Sequence, residues 1–113
     1  MTEFPVIFTK SWTTINALGG DIVVDQRATQ KADWEAELGV VIGAGGANIF
    51  EADAIGYLSE GMALLPGDVI LTGTAAGVGV WRQPHEFLTD GDVVEISCAG
   101  LGTLSNRVVE RGA

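Results

Sequence analysis

The chain has 113 residues, enough for one domain with a modest core. Fifteen acidic side chains against six basic ones give a formal net charge of −9, which repels phosphate backbones and anionic bilayers. Neither nucleic acid nor a membrane is therefore expected as a partner. A hydrophobic content of 47% is high for a small monomer and points to a homo-oligomer, with a dimer favoured.

One cysteine, Cys98, allows no disulfide within the chain. Its place in Val93-Val94-Glu95-Ile96-Ser97-Cys98 reads as a small strand hydrophobe rather than a nucleophile. The start Met1-Thr2-Glu3-Phe4 has neither a basic leader nor a long apolar run, so the expected location is the cytoplasm.

In chain order, Pro5 to Thr9 is predicted as a first strand. A loop follows over Ser11 to Gly20, then a short strand Asp21-Ile22-Val23-Val24-Asp25 and a polar connection over Gln26 to Lys31. Trp34 to Gly43 is predicted as a third strand. Its interior, Leu38-Gly39-Val40-Val41-Ile42, is almost wholly apolar, as in a strand buried on both faces. Gly43 to Ala47 breaks it.

One helix follows. Asn48 and Glu51 have the spacing of a capping box, and Ile55, Leu58 and Met62 recur on one helical face. Leu64-Leu65-Pro66 is predicted to end it, because proline cannot continue the hydrogen-bond ladder. Two segments then echo each other: Pro66-Gly67-Asp68-Val69-Ile70-Leu71 and Asp90-Gly91-Asp92-Val93-Val94-Glu95. Each sets a Gly-Asp turn before a β-branched strand. Thr72 to Thr89 between them reads as loop, and a last strand is predicted over Thr103 to Val109. The fold class is mostly β with one main helix, an α+β arrangement in a single domain over 1–113.

Three features bear on chemistry. In a strand, Glu35 and Glu37 of Asp33-Trp34-Glu35-Ala36-Glu37-Leu38 point the same way, about 6.5–7 Å apart. The pair fits either a solvated strand edge or a divalent-cation site. Leu71-Thr72-Gly73-Thr74-Ala75-Ala76-Gly77-Val78-Gly79 offers hydroxyls and free amides that suit a small carboxylate, or forms a plain surface turn. His85 is the one histidine, and no motif sets a serine or cysteine beside it. Trp12, Trp34 and Trp81 are scattered and are expected to pack in the core.

Taken together, several segments resemble one family. Phe8-Thr9-Lys10, Asp33 to Gly43, Leu65 to Thr74, Leu88 to Val94 and Gly100-Leu101-Gly102-Thr103-Leu104-Ser105-Asn106 resemble, in order, motifs of the fumarylacetoacetate hydrolases and their acylpyruvase, decarboxylase and isomerase relatives. The resemblance implies a shortened mixed β roll. It also implies a Mg²⁺ or Mn²⁺ ion held by Glu35 and Glu37, and a small 2-oxo or β-dicarbonyl acid whose C–C bond is cleaved or decarboxylated. Thr74 and Lys10 are implied as substrate contacts.

The chain departs from the family pattern in its middle. The segments that carry a third metal ligand, an active-site lysine and a His/Glu lid have no counterpart here, and Ala75 replaces a proline after Thr74. The join falls in the helix: Glu51 to Ile55 resembles a helix before the gap, and Ile55 to Gly61 one beyond it. A third ligand is left to Asp53, Asp33 or a second subunit. The alternatives to an enzyme are a non-catalytic oligomeric remnant and a module that binds small carboxylates.

Overall fold

A computed structural model describes residues 5–47 and 53–111. The elements run β1 (Ile22–Val24), β2 (Gly39–Val41), α1 (Asp53–Gly61), β3 (Val69–Leu71), β4 (Val93–Cys98) and β5 (Gly102–Glu110). Short 3₁₀ turns cover Trp12–Thr14 and Gly79–Trp81. Among the described residues the protein is thus mostly β with one helix, as its sequence predicts. It forms two compact units, each drawn from two chain segments: Met1–Phe8 with Glu37–Thr74, and Thr9–Ala36 with Ala75–Ala113.

In the first unit, β2 and β3 pair antiparallel with Val40 opposite Ile70. The turn Leu65-Pro66-Gly67-Asp68 delivers the chain into β3. Asp68 N–H donates to the Leu65 carbonyl at 3.1 Å, and Gly67 adopts φ 93°. Proline fixes the second turn position and glycine supplies the positive φ at the third, the requirements of a type II turn. Gly67 N–H donates to the Ile42 carbonyl, and Ile42 N–H donates to the Asp68 carbonyl. Two residues thus oppose one, a glycine-led bulge that twists the ribbon.

Beyond β2, Gly46 and Leu64 exchange backbone hydrogen bonds at 2.9 and 2.8 Å. Gly45 makes that approach feasible, because a Cβ there would lie 2.4 Å from the Leu64 carbonyl. Ile55 and Leu58 of α1 are half-buried and Ser59 is buried. Ser59 Oγ donates back to the Gly56 carbonyl at 2.9 Å, which satisfies a hydroxyl shut off from water.

In the second unit, β5 is the central strand. β1 lies parallel on one side, with Ile22 opposite Val108, and β4 lies antiparallel on the other, with Val94 opposite Asn106. Val108 is fully buried and Val24 nearly so. Asn106 is also buried. Its amide donates to the carbonyls of Ala17 (3.1 Å) and Gly20 (2.7 Å), tying the loop before β1 to the sheet.

The turn before β4 repeats the one before β3. Asp92 N–H donates to the Thr89 carbonyl, Gly91 takes φ 90°, Gly91 N–H donates to the Val108 carbonyl, and Val108 N–H donates to the Asp92 carbonyl. In both copies the aspartate carboxylate also accepts the first turn residue's N–H, from Leu65 at 2.8 Å and from Thr89 at 2.7 Å.

Several expectations are corrected. Pro5 to Thr9 pairs with no described strand, and proline denies it a ladder donor at its start. The strand predicted over Trp34 to Gly43 is confined to Gly39–Val41. Having one partner, it leaves Val41 exposed instead of buried on both faces. The helix stops at Gly61, before Pro66, because Leu64 is drawn into the bridge with Gly46. Met62 therefore lies outside the helical face and is exposed. Trp12 and Trp81 are exposed rather than packed, and Cys98, though on β4, is exposed too. The capping box Asn48/Glu51 lies outside the described residues.

Candidate functional site

The second unit carries a recess of about 420 Å³ lined by Lys10, Asp33, Glu35, Val78, Val80 and Trp81. Its polar wall comes from two chain segments far apart in sequence. Lys10 Nζ donates to Glu35 Oε2 at 3.1 Å, and both side chains are partly exposed. The two predicted site residues are therefore neighbours, and the carboxylate already carries a cationic group.

Asp33 fixes the opposite wall. Its Oδ1 accepts the N–H of Gly79 at 2.7 Å and that of Trp34 at 2.8 Å, and its Oδ2 accepts the N–H of Val80 at 2.8 Å. Gly79 and Val80 open the 3₁₀ turn, whose first amides have no partner within the turn. A carboxylate from a distant segment caps them. Partial desolvation pulls the Asp33 pKa upward. The amides of Val80, Trp34 and Gly79, with the charge of Arg82, outweigh it and hold Asp33 below its ordinary value.

Glycine is required at 79. A Cβ there would fall 1.8 Å from the Glu86 carbonyl oxygen, and Glu86 N–H in turn donates to the Gly79 carbonyl. Arg82 stacks over the ring of Trp34 at 4.8 Å and pairs with Glu86, so its charge is engaged beside the recess.

Glu37 and Thr74 belong to the first unit. Glu37 Oε2 accepts the N–H of Gly73 at 2.9 Å, and Gly73 follows β3 with φ 95°. Thr74 Oγ1 is buried and has no hydrogen-bond partner among the described residues. A shielded hydroxyl of this kind is under-satisfied and suits a ligand oxygen. The ladder expected to align Glu35 with Glu37 begins only at Gly39, so each glutamate is oriented by its own partner and not by strand alternation.

Of the other residues singled out in the sequence, His85 lies 6.3 Å from the Phe87 ring, centroid to centroid. Asp33, a suggested third ligand, has both oxygens committed to backbone donors. The side chain of Asp53 lies outside the described residues. Sequence reasoning missed the Asp33 clamp and the Arg82–Trp34 stack, since each joins segments whose proximity no local pattern encodes.

The donor set can be weighed against a divalent cation. Among the described residues no group of three or more His, Cys, Asp or Glu is placed to hold a metal. In kind, however, the glutamates fit: hard carboxylate oxygens suit Mg²⁺ or Mn²⁺. In number they fall short, which leaves most positions to water or substrate oxygens, the usual habit of Mg²⁺.

Residues 1–57 and 49–109 match the family described as fumarylacetoacetate (FAA) hydrolase C-terminal. The two matches overlap within 49–57, where α1 begins, and this locates the join. Human oxaloacetate tautomerase FAHD2A, mitochondrial, is 45% identical over 74 residues, covering 63% of this chain and 24% of that protein. Oxaloacetate tautomerase YisK of Bacillus subtilis is 26% identical over 185 residues, covering 94% of this chain and 62% of that protein. That alignment is longer than the chain itself, so it skips a block of the relative. The crystal structure of an HpcE-type protein from Mycobacterium smegmatis superposes with a TM-score of 0.82 at 25% identity, covering 96% of this chain and 69% of that one. The chain spans about a quarter of the human relative's length.

Proposed function

The chain belongs to the fumarylacetoacetate hydrolase family, and from that premise we propose that it acts on small 2-oxo or β-dicarbonyl acids at the Lys10–Glu35 recess. The observation that carries this reading is the ammonium–carboxylate pair on the wall of a cavity large enough for such an acid. The names of the tautomerase relatives support oxaloacetate-like diacids as the substrates to test first. Tautomerisation, decarboxylation and C–C hydrolysis of these acids share an enol or enolate.

Glu35 is proposed as a carboxylate ligand for Mg²⁺ or Mn²⁺. Glu37, two residues along, is proposed as the second on the family motif alone. When bound, the ion supplies Lewis-acid stabilisation of the enolate oxygen. Lys10 offers a positive charge to the substrate carboxylate. Thr74, in the first unit, is proposed as a substrate donor on the family motif alone; its hydroxyl is buried with no partner among the described residues. Val78, Val80 and Trp81 provide the apolar part of the wall.

The experiment is a keto–enol exchange assay on oxaloacetate, with parallel assays of oxaloacetate decarboxylation and acylpyruvate cleavage, each with and without Mn²⁺. Glu35→Ala serves as the control. Metal-dependent turnover above that control is expected, and its absence in all three assays ends the catalytic reading.

A second reading is favoured by one specific observation: the family segments bearing the third ligand, the lysine and the lid have no counterpart in this chain. On it, the protein binds small carboxylates without turning them over, as an oligomeric remnant. Calorimetric heat with oxalate or pyruvate and no turnover would select it.

A homo-oligomer, with a dimer favoured, is likewise proposed. It is motivated by the two-stranded ribbon, where Val41 and Val69 are exposed, and sedimentation analysis tests it. No helix among the described residues is long and apolar enough to cross a membrane. A cytoplasmic location is proposed, although the human relative's name places that protein in mitochondria.

A further inference from the structure

The recess has a polar lining of Lys10, Asp33 and Glu35, and an apolar lining of Val78, Val80 and Trp81 drawn from one short stretch of chain. Trp81 is 82% exposed and Val80 40% exposed, so the apolar lining presents open surface. Its backbone is nevertheless fixed. Asp33 accepts the N–H of Gly79 and of Val80, Trp81 N–H donates to the Val78 carbonyl at 3.3 Å, and Arg82 N–H and Glu86 N–H each donate to the Gly79 carbonyl at 3.1 Å. Trp34, by contrast, is half-buried and has Arg82 over its ring. Trp81 is thus held on a braced turn with its ring open to whatever enters the recess. A preorganised aromatic side chain of this kind loses little freedom when a ligand covers it.

Resting on the reading that the recess takes a 2-oxo acid, we propose that Trp81 is a specificity-determining residue, selecting monocarboxylic 2-oxo acids whose far end is an apolar chain or an aromatic ring. Charge favours an uncharged far end. The recess already carries two carboxylates, Asp33 and Glu35, against one ammonium, so a second carboxylate on the ligand would meet like charges or an apolar wall that offers it no partner. Size favours a tail. The volume of about 420 Å³ falls in the range of about 300–1,000 Å³ that accommodates larger organic ligands, and the smallest 2-oxo acids leave the Trp81 lining uncovered. A tail that covers Val80 and the indole ring removes apolar area from water, and binding strengthens in proportion. The tail meets Val78, Val80 and Trp81, so its recognition is independent of the ion pair between Lys10 and Glu35.

The test is calorimetric titration of the full chain, with and without Mn²⁺, using pyruvate, 2-oxohexanoate, phenylpyruvate and the diacid 2-oxoglutarate. The readout is the ratio of affinities between ligands. In the wild type, 2-oxohexanoate is expected to bind roughly tenfold tighter than pyruvate, which is about half the gain in free energy for full burial of its three added methylenes. Phenylpyruvate is expected to show a similar advantage, and 2-oxoglutarate none. Trp81→Ala is expected to bring the 2-oxohexanoate to pyruvate ratio close to one, and Trp81→Phe to keep most of it. Trp12→Ala serves as the control, since Trp12 is 81% exposed and lies outside the recess, and it is expected to keep the wild-type ratio.

Pyruvate and 2-oxohexanoate binding the wild type equally well overturns the inference and leaves the 2-oxo acid reading standing. A preference for 2-oxohexanoate that survives Trp81→Ala, or that Trp12→Ala also abolishes, removes Trp81 from the role. Binding of 2-oxoglutarate as tight as that of 2-oxohexanoate overturns the selection against diacids. No binding of any of the four acids, with or without Mn²⁺, removes the 2-oxo acid reading and this inference together.

Discussion

Asp33 Oδ1 accepts the backbone N–H of Gly79 at 2.7 Å across 46 residues of sequence, and this bond sets one wall of the recess that holds Lys10 and Glu35. The same carboxylate receives Trp34 and Val80, so it binds its own segment to the 3₁₀ turn. Asparagine at 33 retains one acceptor oxygen but turns an amide donor toward a backbone donor. Asp33→Asn is expected to lower the melting temperature and to shift the emission of Trp34 and Trp81 to the red. It should also weaken oxalate binding while leaving the Lys10–Glu35 pair in place. Unchanged emission together with unchanged oxalate affinity would remove Asp33 from its role as a positioning residue.

The paired turns before β3 and β4 allow a comparison within one molecule. Gly67 and Gly91 have φ of 93° and 90°, and a Cβ at either would meet nothing within 4 Å. The penalty for a side chain is therefore backbone strain without steric clash. Gly67→Ala and Gly91→Ala are each expected to destabilise by about 1–2 kcal/mol, with asparagine milder than alanine at both. Urea denaturation checks this. Near-equal values would confirm that the two turns are energetically alike.

Those turns also show what can be read from sequence. Gly67-Asp68 and Gly91-Asp92 announce themselves because the conformation they need is specified by three or four adjacent residues. The strand over Ile22–Val24 and the long β5 are legible for a similar reason: β-branched runs bounded by turn residues leave few alternatives. Strand length at β2 is not legible, since it depends on how far β3 extends opposite it, and the pairing ends where Leu71 meets Gly39. The exposed positions of Trp12 and Trp81 escape prediction too, because a core this small excludes residues that composition alone would place inside.

At the candidate site, Lys10 and Glu35 were legible as residue types at motif positions. Their direct ion pair was not, nor was the Asp33 clamp, because each depends on which segments the turns bring face to face. Glu37 was expected to be aligned by a strand, yet it is oriented by the Gly73 amide, a partner no spacing rule would nominate.

Val108 stands opposite Gly91 and Asp92 in the bulge and is fully buried at the centre of the three-stranded sheet. Val108→Ala removes two methyl groups and leaves a cavity, with an expected loss of about 2–3 kcal/mol. Ile42 occupies the matching place against Gly67 and Asp68, and Ile42→Val is expected to be milder, about 0.5–1.5 kcal/mol. Chemical denaturation of the two variants tests whether the second unit's core dominates stability. A smaller loss for Val108→Ala than for Ile42→Val would contradict it.

Asp25, just beyond β1 in the second unit, is held in its charged form by two arginines. Arg27 grips it through Nε (2.9 Å), Nη2 (2.8 Å) and the backbone N–H (3.0 Å), while Arg111 approaches to 3.8 Å. The Arg27 side chain first, then its amide, hold the Asp25 pKa below 3.8 against a small desolvation in the opposite sense, and Arg111 adds to the lowering. A carboxylate depressed in the folded state favours folding above its unfolded pKa and loses that contribution as pH falls through the folded value. The difference in melting temperature between wild type and Asp25→Asn is therefore expected to be constant above the ordinary carboxylate range and to shrink toward zero as pH falls through the lowered folded value. Arg27→Gln should follow the same course, and added salt should compress both differences, since the arginine is largely solvated. A difference that persists unchanged at low pH would mean that Asp25 acts through hydrogen-bond geometry and not through its charge.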